Sequence, residues 1–264
     1  PLGIKNLLKV SNKNGQISTY DLGWVIGPRL NAAGRLQDAK IAVDLILQND
    51  DIKSFEIAKK LDQINQQRQD KTVNMYKLSN LDEQNLPFVI VQAHGEYHEG
   101  IIGLVASKFV QKHYRPTLVI STEGDVGKGS ARSIEGINII QSLRAFEDLF
   151  EDLGGHPMAA GFTIKSKNIP ELNQKLNEHI KNNYDKNIFT PLLQIDMDIP
   201  LNIINLNLFD EIKGLEPFGV NNTEPVFCSK NVSIIDISLI GKNKDHVSFK
   251  LLEGDNLYKG IWFG

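Results

Sequence analysis

Apolar positions recur at helical spacing through the first third of the chain and at strand spacing through the last quarter. Between residues 39 and 48, Ile41, Ala42, Leu45 and Ile46 fall on one helix face, with Asp38 placed to cap it. A second helical pattern starts near Asp51 and runs to about Ser79, carrying Phe55, Ala58, Leu61, Ile64, Val73 and Tyr76. Its middle, QINQQRQDK over 63–71, is almost wholly polar, as in a long helix that bridges two bodies. The pattern breaks around 80–86, in NLDEQNLP. Ahead of these helices, residues 1–17 read as a short apolar segment and a polar loop. Ser18 or Thr19 then caps a helix through Leu22, Trp24, Val25 and Ile26, which Pro28 should kink or end.

From Phe88 the period alternates. FVIVQ (88–92) is a buried strand, and residues 100–112 form a helix with Ile102, Val105, Ala106, Phe109 and Val110 inward. Strands follow over 116–121 and 126–133, then an amphipathic helix over 136–150, a strand over 161–165 and a helix over 169–184. This order indicates a layered α/β domain. Beyond Pro191, LLQIDMDIPL, PVFCSKNVSIIDISLIG, HVSFKLLEG and LYKGIWFG read as strands, with one short helix over about 203–213. They make a small β-domain, a partial barrel.

Length and composition narrow the picture. The chain has 264 residues, enough for roughly two domains, with 41% hydrophobic and 23% charged residues, as in an ordinary globular protein. A net charge of −3 means that any nucleic-acid contact must come from local clusters. The single cysteine, Cys228, excludes an internal disulfide framework and a multi-cysteine zinc site, and fits a reducing compartment, the cytoplasm. No apolar run reaches the ~18 residues of a membrane span. The first and last residues read as cuts within a longer protein.

Four stretches carry candidate chemistry. GPRLNAAGRL (27–36) sets Arg29 and Arg35 among small residues. Arginine forks match phosphate oxygens, although two solvated arginines flanking a helix end would look the same. His98 stands just before a helix start, where it serves either an anion or the helix cap. VGKGSARS (126–133) concentrates Lys128, Ser130, Arg132 and Ser133. LGGHPMAAG (153–161) places Gly154 and Gly155 before His156, a loop whose N–H groups and imidazole suit a phosphate. A glycine turn entering a strand, with a structural histidine, is the other reading. Lys242, Lys244 and His246 read as a solvated turn.

The order of these motifs, with YHEGIIGLVASKF before GKGSARS and LEPFGVNNTEPVF (215–227) after the histidine loop, resembles the C-terminal portion of the RecJ-type exonucleases of the DHH phosphoesterase superfamily. The resemblance covers essentially the whole chain. Tyr97 departs from it, where the family has Trp, and so does Asn222-Thr223-Glu224-Pro225.

The resemblance implies an α/β protein in four parts. These are a remnant of the DHH domain (1–50), a long connecting helix (51–84), a DHH-associated substrate-binding domain (85–188) and a partial OB-like β-domain (189–264). It implies 5′-to-3′ hydrolysis of single-stranded DNA in repair and recombination, with Mn²⁺ or Mg²⁺ held by Asp and His of an N-terminal DHH domain. Arg29 and Arg35 would hold DNA phosphates at the domain junction, and Ser130 and Arg132 the phosphate near the 5′ end. His156, with Gly154 and Gly155, would sit beside the reacting phosphate as the catalytic residue. No Asp-His-His triplet occurs, and the one Asp-x-Asp, Asp196-Met197-Asp198, lies in the β-domain and reads as a decoy. The metal site is therefore expected upstream of Pro1, leaving this chain to hold substrate without cutting it. A DHH-family phosphodiesterase on short oligonucleotides or cyclic dinucleotides is the alternative enzyme. A noncatalytic nucleic-acid-binding module is the alternative outside enzymes.

Overall fold

Helices α1 (Leu2–Val10), α2 (Gly27–Leu36), α3 (Lys40–Leu47) and α4 (Asp51–Lys77) gather the first stretch of the chain. The computed structural model describes residues 1–13, 15–242 and 244–263, and divides into two compact units, Pro1–Pro191 and Leu192–Gly264. Ser18 and Asp21 cap each other reciprocally. The Asp21 carboxylate accepts from the Ser18 N–H (2.8 Å), and the Ser18 hydroxyl from the Asp21 N–H (3.4 Å). Pro28 does not end the helix. Residues Asp21–Ile26 widen into a π-turn in which the Gly27 N–H reaches back to the Leu22 carbonyl, and α2 continues through the proline. A proline has no N–H to give and its ring crowds the carbonyl four residues back. The wider turn absorbs both conflicts.

The polar middle of α4 does connect two cores. Ala58 and Leu61 pack with Leu7, Ile26, Ala33 and Leu45, whereas Met75, near the other end, packs with Ile90, Tyr97, Ile101, Val105 and Phe109. Asp50 caps α4 by accepting from the Lys53 N–H at 3.0 Å.

A five-stranded sheet follows: β1 (Ile90–His94), β2 (Thr117–Glu123), β3 (Val126–Arg132), β4 (Phe150–His156) and β5 (Ala159–Lys165), in the order β1-β2-β3-β5-β4. Only β1 and β2 pair in parallel, joined through α5 (Ile102–His113). One face is covered by α6 (Ile139–Arg144) and α7 (Ile169–Asn183), which bury Leu118, Ile120, Ala131, Ala160, Phe162 and Ile164. On the other, Val119 meets Val105, Ala106 and Phe109 of α5.

Two expectations change here. The helix expected over 136–150 stops at Arg144, and after a 3₁₀ turn the chain enters β4 at Phe150. Phe150 packs edge-on against Phe162 across the strands (5.2 Å between ring centroids), so pairing overrides the helical spacing. In addition, LGGH is not a loop. Leu153–His156 is the end of β4, and the chain reverses through Pro157 and Met158 into β5.

In the second unit, β8 (Ser233–Ile240), β9 (His246–Glu253) and β10 (Asn256–Phe263) form an antiparallel sheet in the order β10-β9-β8. The strands expected in LLQIDMDIPL and PVFCSKN shrink to the two-residue pair β6 (Met197–Asp198) and β7 (Phe227–Cys228), with α8 (Leu206–Lys213) between them. The LEPFGVNN loop closes on itself, since the Asn222 side chain donates to the carbonyls of Leu215 (3.0 Å) and Pro217 (2.9 Å). Lys244 lies in a turn, its N–H bonded to the Gly241 carbonyl, as expected of that stretch.

Candidate nucleic-acid interface

Strand register assembles the site. Arg132 of β3 lies opposite Ala159 of β5, which lies opposite His156 of β4. One step along, Ser130 lies opposite Gly161, and Gly161 opposite Gly154. Residues opposite one another on adjacent strands share a face, as do residues two apart on one strand. One face therefore carries Ser130 and Arg132 on β3 and His156 on β4, about 10 Å apart at two strand spacings. Between them lies a floor of Ala159, Gly161 and Gly154. A Cβ added at Gly154 or Gly161 would meet nothing within 4 Å, so the space above the floor is open. The intervening row, Ala131, Ala160 and Gly155, faces the other way, with Ala131 and Ala160 in the core.

The start of α5 bounds this floor. A Cβ at Gly103 would lie 2.7 Å from Arg132 Nη2 and 3.1 Å from Ser130 Oγ, so any side chain there would push the guanidinium aside. Arg132 Nη1 donates to Ser130 Oγ (2.8 Å) and to the Ala131 carbonyl (2.7 Å). Burial lowers the pKa of Arg132, and nearby Arg35 lowers it further. The guanidinium nonetheless keeps its charge at neutral pH. Arg35 donates to the Gly100 carbonyl at 3.3 Å. Gly100 has no room for a Cβ, which would come within 3.0 Å of the Arg35 carbonyl carbon.

The structure brings Arg35, Ser130, Arg132 and the start of α5 together, and it sets His156 across the floor from them. Arg29 stands apart. Its Nε is paired with Asp62 (2.8 Å) and its Nη1 donates to the Val25 carbonyl (2.8 Å), bracing α2 against α4. His98 acts at the helix cap: its Nδ1 accepts from the Gly100 N–H (3.1 Å), and its carbonyl accepts from Ile101 and Ile102. Lys128 is ion-paired with Glu99 at 2.6 Å. The Ser133 hydroxyl is buried and donates to the Ile137 carbonyl (2.7 Å), so it is turned away from any ligand. The hairpin tip beyond His156 is held by two backbone bonds, Ser133 N–H to Met158 O (3.0 Å) and Ile139 N–H to Pro157 O (2.9 Å).

Gly154 and Gly155 act differently from a phosphate-cradling loop. Gly154 leaves the floor bare. At Gly155 a Cβ would lie 2.4 Å from the Ala159 carbonyl oxygen and 2.6 Å from the Ala160 Cα, so the two strands approach too closely there for any side chain.

Sequence reasoning passed over Arg68, on α4. Burial and the charge of Arg35 lower its pKa, and its Nε and Nη2 donate to Asn65 Oδ1 on the same helix (3.2 and 3.0 Å). Its only signal in the sequence was an arginine within the polar middle of a long helix.

Asp196 and Asp198 are engaged elsewhere. Asp196 accepts from the Val226 N–H (2.8 Å), and Asp198 pairs with Lys230. Among the described residues, no group of three His, Cys, Asp or Glu side chains is arranged to hold a metal ion. Among the described residues, too, no helix is long and apolar enough to cross a membrane.

The DHHA1 domain model matches residues 85–182, and the RecJ OB domain model matches residues 195–264. The single-stranded-DNA-specific exonuclease RecJ of Bacillus subtilis is 36% identical over 95% of this chain, which spans 33% of that protein. The corresponding protein of Haemophilus influenzae is 34% identical over 95% of the chain, which spans 46% of it. The chain thus spans a third to under half the length of these relatives. The crystal structure of RecJ in complex with Mn²⁺ from Thermus thermophilus superposes with a TM-score of 0.85 over 99% of this chain and 38% of that one, at 26% identity. A crystal structure of exonuclease RecJ bound to manganese gives 0.62 over 70% of the chain at 28% identity.

Proposed function

From the premise that this chain is homologous to the RecJ exonucleases and carries their DHHA1 and OB domains, we propose that it is the substrate-holding part of a single-stranded-DNA-specific 5′-to-3′ exonuclease. One observation carries the reading: Arg35, Ser130 and Arg132 converge beside a floor of glycine and alanine that ends at His156.

A single strand has a narrow, flexible backbone, and a floor without side chains lets that backbone lie flat on the sheet. Ser130 and Arg132 take the phosphate nearest the 5′ end, and Arg35 takes a neighbouring one. Arg29 braces α2 and offers its remaining donors at the junction. His98, as the cap of α5, orients that helix start toward the same phosphates. His156 lies at the far end of the floor, on a hairpin tip fixed by backbone bonds, in position to donate to a phosphate oxygen as charge develops on it. In the second unit, the OB domain adds single-strand binding of its own, as such folds do.

Divalent metal, Mn²⁺ or Mg²⁺, is proposed for the longer protein, held by residues in the part of the relatives that this chain does not span. The residues described here do not form its ligand set, and no step through it is derived. The setting is DNA repair and recombination in the cytoplasm.

The test uses end-labelled single-stranded DNA with Mn²⁺. This chain binds the strand without shortening it, and the longer protein shortens it from the 5′ end. His156→Ala in the longer protein lowers the rate by about a hundredfold or more. Shortening by this chain alone, or full activity of the His156→Ala protein, would contradict the reading.

A further inference from the structure

The bare floor is two rows wide, and the next row restores side chains. Lys128 of β3 lies opposite Thr163 of β5, and Thr163 lies opposite Asp152 of β4. By strand alternation these three share the face of Ser130, Gly161 and Gly154. The row thus carries a cation at its β3 end and a carboxylate at its β4 end, both exposed. A phosphate is repelled at the Asp152 end and attracted at the Lys128 end. Lys128 stands two residues from Ser130, about 7 Å along β3, on the side opposite Arg132. Its four-carbon stem is long enough to bring the ammonium over Ser130.

Lys128 is already engaged. Its Nζ donates to the Glu99 carboxylate at 2.6 Å. Glu99 comes from the turn that leads into α5, four residues before the Gly103 that passes Ser130 and Arg132. The start of α5 therefore brings a carboxylate to the strand that receives the phosphate. Both side chains of the pair are more than half exposed (63% and 57%). An ion pair in that setting is screened by water and contributes little to the fold. A carboxylate offers two oxygens and one negative charge, much as a phosphodiester does, so Glu99 occupies Lys128 in the way a phosphate would. A cleft lined by Gly95, Thr122, Glu99 and Lys128 lies beside the pair, which leaves the ammonium room to swing without moving the backbone. Lysine suits such an exchange, being a point charge on a flexible stem that needs no fixed fork geometry.

We propose that Lys128 is a further arm of the phosphate site, closing on the phosphate above Ser130 from the side opposite Arg132, and that Glu99 is the resident counterion which this phosphate displaces. In the free protein Glu99 holds Lys128. A strand laid against β3 exchanges one anion for another, and the ammonium is paired before and after. When the strand advances or leaves, Glu99 recaptures the ammonium, and the phosphate departs more readily. Glu99 therefore weakens the grip on the strand, and Lys128 strengthens it. The inference rests on the phosphate-site reading above and adds to it a binding residue and a competing carboxylate that sets its strength.

The experiment is fluorescence-anisotropy binding of a labelled 5′-phosphorylated oligothymidylate to the 264-residue chain across a salt series. Native protein is compared with Lys128→Gln, Glu99→Gln, the double variant and Arg132→Gln, each checked for a native unfolding transition. Lys128→Gln should weaken binding about fivefold and reduce the salt slope by about one counterion. Glu99→Gln should tighten binding about threefold, because the ammonium no longer has a competing partner. In the Lys128→Gln background the same Glu99→Gln change should have little effect, since there is no ammonium left to compete for. An equal gain in both backgrounds would show that Glu99 merely repels the strand, and would refute its role as counterion. Native or weaker binding by Glu99→Gln would refute it too. Arg132→Gln losing affinity while Lys128→Gln binds with native affinity and slope would overturn the inference and leave the wider reading standing. If native protein fails to bind the strand, the phosphate-site reading itself falls.

Discussion

Two neighbouring glycine positions separate folding from binding. Gly161 and Gly155 lie one strand apart in the sheet, yet a side chain would meet opposite surroundings. At Gly161 a Cβ touches nothing within 4 Å, whereas at Gly155 it would sit 2.4 Å from one backbone atom and 2.6 Å from another. Gly161→Val should therefore fold normally. It adds a residue suited to strands in open space, and the expected change in stability is within about 0.5 kcal/mol. It would, however, stand up from the floor between Ser130 and Gly154 and lift the strand off the sheet. Losing one charge-assisted phosphate contact is worth about 1.5–3 kcal/mol, so affinity should fall about tenfold or more. Gly155→Ala drives a methyl into the backbone of β5, which cannot rotate away as a side chain can, and should destabilise the first unit by about 3 kcal/mol. Urea unfolding followed by Trp24 fluorescence, in a Trp262→Phe background, reports the first unit, since these are the two tryptophans of the chain. Single-strand binding is measured on the same samples. A folded Gly161→Val protein with native affinity would refute the floor, and a Gly155→Ala protein of native stability would refute the strand packing.

Two further outcomes follow from the joints of the first unit. His113 is buried between α4 and α5, with its Nε2 3.2 Å from the Tyr76 hydroxyl. Burial holds its imidazole below the ordinary range, opposed by Glu83 and reinforced by Lys112 and Arg115. With the folded value depressed, the unfolded chain takes up the proton first, near its ordinary pKa of about 6.5. The stabilisation is thus complete above that pH and is lost as pH falls through the folded value. The urea midpoint of the first unit should drop between about pH 7.5 and 5.5 in native protein and drop less in His113→Gln; equal drops would contradict this. Arg29→Ala, which removes the Asp62 pair and the bond to the Val25 carbonyl, should cost about 1–2 kcal/mol by the same assay, and an unchanged midpoint would show that α2 is held by packing alone.

The long periodic segments were legible in the sequence because burial follows their spacing: α4, α5, α7 and the strands around Val119 and Ala131 lie close to where alternation or helical spacing put them. The errors fell where tertiary context outweighs local pattern. Residues 145–150 have helical spacing, but Phe150 is drawn into a strand against Phe162. Pro28 was expected to kink or end the helix; the helix is distorted and continues, because a compensating π-turn, which leaves no mark in composition, accommodates the proline. At the site, the residue types in SARS and GGH were visible, but their spatial order was not. The rows that set Arg132 and His156 on one face depend on β3, β5 and β4 being neighbours, a long-range fact. For the same reason Ser133 and Lys128 looked equivalent to Ser130 and Arg132, until burial and an ion pair separated them.

The most direct measurement is a crystal structure of this chain with a short 5′-phosphorylated oligothymidylate. The account predicts a phosphate within hydrogen-bond distance of Ser130 and Arg132, and a backbone that crosses Gly161 and Gly154 toward His156. A strand held solely on the β8–β10 sheet, with the floor between Arg132 and His156 left bare, would contradict it.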